Sequence, residues 1–370
     1  MSGQSPALPL RVAQVVRPAE GGIRRHVSLL TATLSRTEFK STVYAPSAFT
    51  LEAVGGVVAA NVIPVDIAPV TSAGRDMRAI IALARCLRGT ADIVHAHGLR
   101  AAFIGVSAAK LAGIPVVFTA HNVPPRPGRL QKLIVSLISA QSDAIITVSE
   151  AIAQQFVELG CAKSKLHVIP NGIQLARYSG VVPGERAALG VREDDPVVIY
   201  VGRLSPEKGV RVLLDAFTLV KKSIPTVQLL IVGSGPDEAE LRSSALKTRS
   251  DIHFTGNRDD VPQLMAAADV VAIPSFTEGQ GIVAIEAMAS GIPVVASRVG
   301  GLVETIQDGV TGMLVSPHSA HELATAIETL LLDDEGAKRM AAAGSRRAAS
   351  FTIEAMVEAI QKVYLTMVLR

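Results

Sequence analysis

The strongest constraint on this chain is a pattern that it uses twice. A short, largely apolar run leads into a turn bearing glycine or histidine, and apolar residues at helical spacing follow. Runs that are apolar on both faces suit strands of a parallel sheet, because helices cover such a sheet on either side. In the first half these runs are Leu10–Val16, 92–96, 115–119 and 144–148, with 165–170 as a last strand. Ile23, Val27, Leu30 and Leu34 recur between them at helical spacing. A softer stretch, 179–195, contains Val-Val-Pro-Gly and then an acidic run. The pattern then restarts with Val197–Val201. A helix is predicted over 209–224 with Val210, Leu213, Leu214, Phe217 and Val220 inward, and further strands at Gln228–Val232, 252–255, 269–274 and 293–297.

Repeated β-α alternation around a linker predicts an α/β protein of two Rossmann-like domains facing a central cleft. The expected bounds are 1–183 and 184–350, with a final helix over 351–370 crossing back to the first domain. The 370 residues suit two domains, and 49% hydrophobic with 19% charged residues argues against a disordered scaffold. Cys86 and Cys161 are too few for a disulfide framework or a zinc cluster. The start lacks the marks of a signal peptide, and no run of 18 apolar residues is free of charge, so a cytoplasmic protein is expected. Residues 1–183 carry 18 Lys/Arg against 9 Asp/Glu, a net +9, while 184–370 carry 18 against 24, a net −6. A basic half suits an anionic partner such as a membrane surface or lipid phosphate.

Ligands of open α/β sheets sit at the carboxyl ends of strands, so the following loops are where chemistry is expected. Gly21-Gly22, after the first strand, lets backbone approach an anion at a helix start. His95, His97 and His121 fall at strand ends. They suit hydrogen bonding to a sugar or acid–base chemistry better than a metal, since no Cys or carboxylate accompanies them at ligand spacing. Arg203 and Lys208 leave Val197–Val201 toward a helix and can converge on one anion, where they would stabilise a departing diphosphate without a metal. After the strand at 269–274, Glu278 lies in a glycine turn and Glu286 more than a turn into the next helix. The amides of Gly281, Ile282 and Val283 can cradle phosphate. Gly235 and Asn257, in turns after other strands, suit phosphate and base contacts.

Taken together, these pieces resemble the retaining glycosyltransferases of GT-B fold, the group 1 or family 4 type. The matching residues are Gly21-Gly22, Thr119-Ala120-His121-Asn122, Val148-Ser149-Glu150, Pro170-Asn171-Gly172, Val201-Gly202-Arg203-Leu204 with Lys208, and the Glu-x7-Glu pair Glu278 and Glu286. They span essentially the whole chain in the family's order. The resemblance implies that Arg203 and Lys208 bind the donor diphosphate, Glu286 the ribose hydroxyls and Glu278 those of the transferred sugar. His121 would contact the sugar near its reacting carbon, and Gly22 would admit the phosphate. It also implies retention through a same-face displacement in which the leaving phosphate oxygen accepts the acceptor's proton. Gln280 departs from the aromatic residue that many members carry between Gly279 and Gly281, which leaves the sugar open.

The expected function is transfer of a hexose-type sugar from a nucleotide diphosphate sugar, UDP before GDP, with no cofactor or metal. The acceptor is expected to be lipid-linked or a glycan, in cell-envelope or polysaccharide synthesis. Arg24, Arg25, His97, Arg126, Arg129 and Lys132 are placed on the acceptor or membrane side, where the segment 124–135 forms a basic, partly apolar lip. A glycosidase using Glu278 and Glu286 has no use for Arg203 and Lys208. A nucleotide-sugar epimerase and a non-catalytic nucleotide-sugar-binding protein remain as alternatives. A dinucleotide-dependent dehydrogenase lacks its glycine fingerprint.

Overall fold

The computed structural model describes residues 9–17, 22–54, 60–68, 71–122, 128–184, 186–246 and 251–369. The chain divides into two compact units, one formed by Met1–Gly172 with Ile353–Arg370 and the other by Ile173–Thr352. The division therefore falls before the soft stretch 179–195 on which the sequence boundary was drawn, and the last helix belongs to the first unit.

The first unit holds seven parallel strands: β1 (Leu10–Val16), β2 (Phe39–Ala45), β3 (Asn61–Pro64), β4 (Ile93–His97), β5 (Val116–Ala120), β6 (Ala144–Thr147) and β7 (Leu166–Val168). Their order is β3-β2-β1-β4-β5-β6-β7. Alternate residues of one strand enter different cores. Ala13, Val15, Val116, Phe118 and Ile145 pack with the helices Ala73–Leu87 and Leu99–Ala112. Val12, Val117 and Ile146 pack with Gly22–Leu34 and the last helix, Ile353–Val368. Both faces are thus covered, which is why these strands read as largely apolar runs. Strands β2 and β3 were not predicted. Lys40, Ser41 and Thr42 interrupt the apolar signal in β2, and β3 is only four residues long.

The second unit holds six parallel strands: β8 (Val197–Val201), β9 (Gln228–Val232), β10 (Ile252–Gly256), β11 (Val270–Ile273), β12 (Val294–Ser297) and β13 (Met313–Val315). Their order is β10-β9-β8-β11-β12-β13. Val197 and Ile199 enter one core, Val198 and Tyr200 the other. In the helix Val210–Ser223, the residues Val210, Leu213, Phe217 and Val220 are buried as their spacing predicts.

Each sheet runs outward in both directions from its first strand. The order reverses between β1 and β4 in the first unit, and between β8 and β11 in the second. Loops leaving two such strands diverge to opposite faces and open a crevice at the carboxyl edge. No helix among the described residues is long and apolar enough to cross a membrane.

Candidate functional site

In the second unit the crevice lies between the loops that follow β8 and β11, and these carry the residues singled out in the sequence. Lys208 Nζ lies 2.5 Å from Glu278 Oε1, and the Ser275 hydroxyl donates to the same oxygen at 3.1 Å. Backbone contact brings the two loops together, with the Phe276 N–H donating to the Glu207 carbonyl at 2.8 Å. Gly209 permits this approach. Its φ is +67°, and a Cβ there would stand 2.1 Å from the Pro274 carbonyl oxygen.

The Glu278 loop is held from its other side. The Gly301 N–H donates to the Glu278 carbonyl at 3.1 Å, and Thr305 Oγ1 donates to the Gln280 carbonyl at 2.8 Å. Gln280 is buried, so its side chain is packed within this unit rather than presented on the surface. Gly281 precedes the helix Ile282–Ala289, whose first-turn amides, Ile282 and Val283 among them, have no intrahelical acceptor. Glu286 lies in that helix with only 5% of its surface exposed. Tyr178 donates to Glu286 Oε1 at 2.5 Å. Tyr178 had no signal in the sequence, because it approaches Glu286 across 108 residues of chain.

Arg203 is exposed. Its backbone is fixed by Tyr200, whose hydroxyl donates to the Arg203 carbonyl at 2.8 Å. Burial pushes the Tyr200 phenol up, and the charges of Glu278 and Glu207 add to the effect, so it stays a neutral donor. The Leu204 N–H donates to the Ser234 carbonyl at 2.9 Å, and Ser234 Oγ to Asn257 Oδ1 at 3.0 Å. Gly235 passes so close to Leu204 that a Cβ would stand 2.2 Å from its carbonyl oxygen. The second unit therefore brings the turns of Arg203, Lys208, Gly235, Asn257 and Glu278 to one sheet edge.

In the first unit the switch point holds a cluster of histidines. Register places Gln14 beside His95 and Val16 beside His97. Tyr364 of the last helix donates to His95 Nδ1 at 2.6 Å, and His95 Nε2 donates to Thr119 Oγ1 at 2.7 Å. Gln14 Nε2 reaches Tyr364 Oη at 3.4 Å, which turns Gln14 Oε1 toward His97 Nε2 at 2.7 Å. His97 is then the donor at Nε2, and its Nδ1 carries a lone pair. Both His95 and His97 are fully buried. Burial pushes His95, His97 and His121 well down from the ordinary imidazole range, and neighbouring histidines add to this. Burial pushes His26 down to about 4, against the opposing effect of Asn171. The four rings are neutral near pH 7.

His26 was missed in the sequence. It lies one helical turn after Gly22, on the helix that leaves β1, and so faces the same strand ends as His97 and His121. His97 was placed on an acceptor-side lip, whereas the structure buries it beneath His26, because its strand is covered on both faces. Arg24 and Arg25 are partly buried, and Arg24 pairs with Glu52 at 3.1 Å. Arg129 and Lys132 are exposed on the helix Arg129–Gln141. Arg126 and Gly21 lie outside the described residues.

Comparison with known proteins accords with this arrangement. A model of the glycosyl transferases group 1 matches residues 182–347, and one of glycosyltransferase family 4 matches residues 20–177. A D-inositol 3-phosphate glycosyltransferase of Nocardia farcinica is 33% identical over 76% of this chain and 68% of its own length. That of Mycobacterium marinum is 31% identical over 75% of this chain and 64% of its own. The Anabaena protein HepE, solved with UDP and glucose, superposes with a TM-score of 0.85 at 25% identity, covering 96% of this chain and all of its own. With both halves matched in order and a relative 33% identical over 68% of its own length, the chain belongs to the group 1 glycosyltransferases of GT-B fold.

Proposed function

We propose that this protein is a retaining, metal-independent glycosyltransferase that moves a hexose-type sugar from a UDP-sugar, with GDP as the second choice of base. The observation that carries this reading is the Lys208–Glu278 pair, set beside Arg203 at the carboxyl edge of the β8/β11 switch point. A departing nucleoside diphosphate gains negative charge, and two cations placed there would stabilise it without a bound metal. The amides that open the helix at Ile282 add a further anion site. Glu286, oriented by Tyr178, would take ribose hydroxyls, Glu278 would take sugar hydroxyls, and His121 would contact the transferred sugar. Retention would follow from the leaving phosphate oxygen accepting the acceptor's proton. UDP is preferred because HepE, of the same fold, was solved with UDP and glucose.

The acceptor we propose is lipid-linked or a glycan, met at an anionic membrane surface. The helix Arg129–Gln141 supports this, since Leu130, Leu133 and Leu137 stand exposed beside Arg129 and Lys132. Apolar and basic residues on one exposed face suit an interfacial helix. The N. farcinica and M. marinum relatives are named for an inositol phosphate acceptor, so a soluble phosphorylated polyol is the second reading.

The test is thermal unfolding against UDP, GDP, ADP and their sugars with EDTA present, followed by product analysis with candidate acceptors. A selective rise with UDP and its sugars supports the donor site. No rise with any nucleotide would leave a scaffold that does not bind donor. Cosedimentation with anionic vesicles at low salt tests the membrane part, and a protein that stays in the supernatant counts against it.

A further inference from the structure

We propose that His26, His97 and His121 form a binding site for a divalent transition metal that prefers imidazole ligands, zinc foremost. One ring nitrogen from each lies within 4.8 Å of the other two. The rings meet with centroids 4.7 Å apart for His26 and His121, and 5.3 Å for His26 and His97. Zinc holds imidazole nitrogens at about 2.0–2.1 Å, which places them about 3.3 Å from each other in a tetrahedral site. Closing that gap requires each nitrogen to move about 1 Å toward a common centre.

Two further observations point to a ligand at this place. His97 Nδ1 and His121 Nε2 are buried and have no hydrogen-bond partner among the described residues. Buried polar atoms without partners are rare, because each forfeits its hydration. His97 also has the outer support that metal-bound histidines have, since its other nitrogen, Nε2, donates to the side-chain oxygen Gln14 Oε1 at 2.7 Å. That bond leaves the Nδ1 lone pair of His97 for another partner. A phosphate or carboxylate oxygen cannot satisfy it, because both atoms would be acceptors. A sugar hydroxyl satisfies one nitrogen, while a divalent cation uses three.

The charge that opposes such a cation is Arg17, whose field reaches His121. The metal would be an inhibitor rather than a cofactor, since it would occupy His121 in place of the sugar. This consequence rests on the transferase reading, whereas the site itself does not.

The experiment is titration of the full-length, EDTA-treated and desalted protein with Zn2+ against a chromogenic chelator, with Co2+ as a spectroscopic probe. We expect one equivalent bound, with the intense visible bands of low-coordinate Co2+. His26→Gln and His97→Gln should each weaken binding at least tenfold with an unchanged circular dichroism spectrum. The exposed-site control His321→Ala should bind as wild type, and Arg17→Ala should bind several-fold tighter. No stoichiometric binding overturns the proposal, and so does binding that survives both His26→Gln and His97→Gln. If either of these two fails to fold, His121→Gln takes its place under the same criterion. Once a donor is known, Zn2+ should inhibit the wild type but not the activity that remains in His26→Gln. Zinc bound at these histidines without inhibition would remove the blocking role and leave the site. Failure to find a donor would touch only the transferase reading.

Discussion

Lys208 and Glu278, 70 residues apart, share a 2.5 Å contact at the point where the second sheet reverses its strand order. Each arrives on the loop that leaves one of the two diverging strands. Neither is fully buried, with 25% and 16% of the side chains exposed, so the pair is shielded yet reachable. An anion that engages Lys208 would release Glu278 for hydroxyl contacts.

Removing the cations should separate turnover from stability. Arg203→Ala and Lys208→Met should each lower the turnover number by about two to three orders of magnitude, as loss of one charge-stabilising group does. Arg203 is exposed, so its variant should unfold at the wild-type urea midpoint. Transfer at the wild-type rate by a folded Arg203→Ala would take that residue out of the site.

Glycine 301 tests whether the Glu278 loop needs its backing. A Cβ there would lie 2.2 Å from the Gly279 carbonyl oxygen, with no flexible side chain to give way. Gly301→Ala should displace the loop and reduce transfer at least tenfold. A displacement of about 1 Å at a reacting centre is enough for that. Steady-state kinetics on the folded variant reads the effect, and wild-type rates would show that the loop tolerates the shift.

Tyrosine 178 should act on binding. Tyr178→Phe removes the hydroxyl that holds Glu286 Oε1 and leaves a buried carboxylate short of a donor. The Michaelis constant for the nucleotide sugar should rise several-fold with a smaller change in turnover. An effect confined to turnover would contradict ribose binding by Glu286.

Tyrosine 364 should matter for stability. Tyr364→Phe strips the donor from His95 Nδ1 and the acceptor from Gln14 Nε2, both fully buried. Each unmet buried group costs about 1–3 kcal/mol. Urea denaturation should show a clear loss, and an unchanged midpoint would mean that water or a shift of the last helix replaces the bond.

Acidification should destabilise the first unit. The unfolded chain protonates His26 near the ordinary value of about 6.5. The folded chain does so only near 4, because burial disfavours the charged ring. Between these values the unfolded state binds more protons, so stability present above about pH 6.5 drains away as pH falls toward 4. His95, His97 and His121 shift in the same direction. Urea midpoints at pH 7.5 and pH 5 should differ accordingly, and less so in His26→Gln.

The amino-acid sequence alone determined the doubly wound class of both units. Strands covered on two faces are apolar at most positions, and the turns after them carry exposed polar residues. For the same reason the placement of Arg203, Lys208, Glu278 and His121 was legible, since each lies in the turn that follows an apolar run. Strands β2 and β3 were not, because Lys40, Ser41 and Thr42 break the apolar run of β2 and β3 is only four residues long. Only the tertiary structure decided which polar residues meet. Tyr178 reaches Glu286 across 108 residues, Tyr364 reaches His95 across 269, and His26 joins His97 and His121 from a separate helix. Such contacts leave no local period in the chain. They arise because strand order places distant loops side by side, and buried polar groups must then find their partners there.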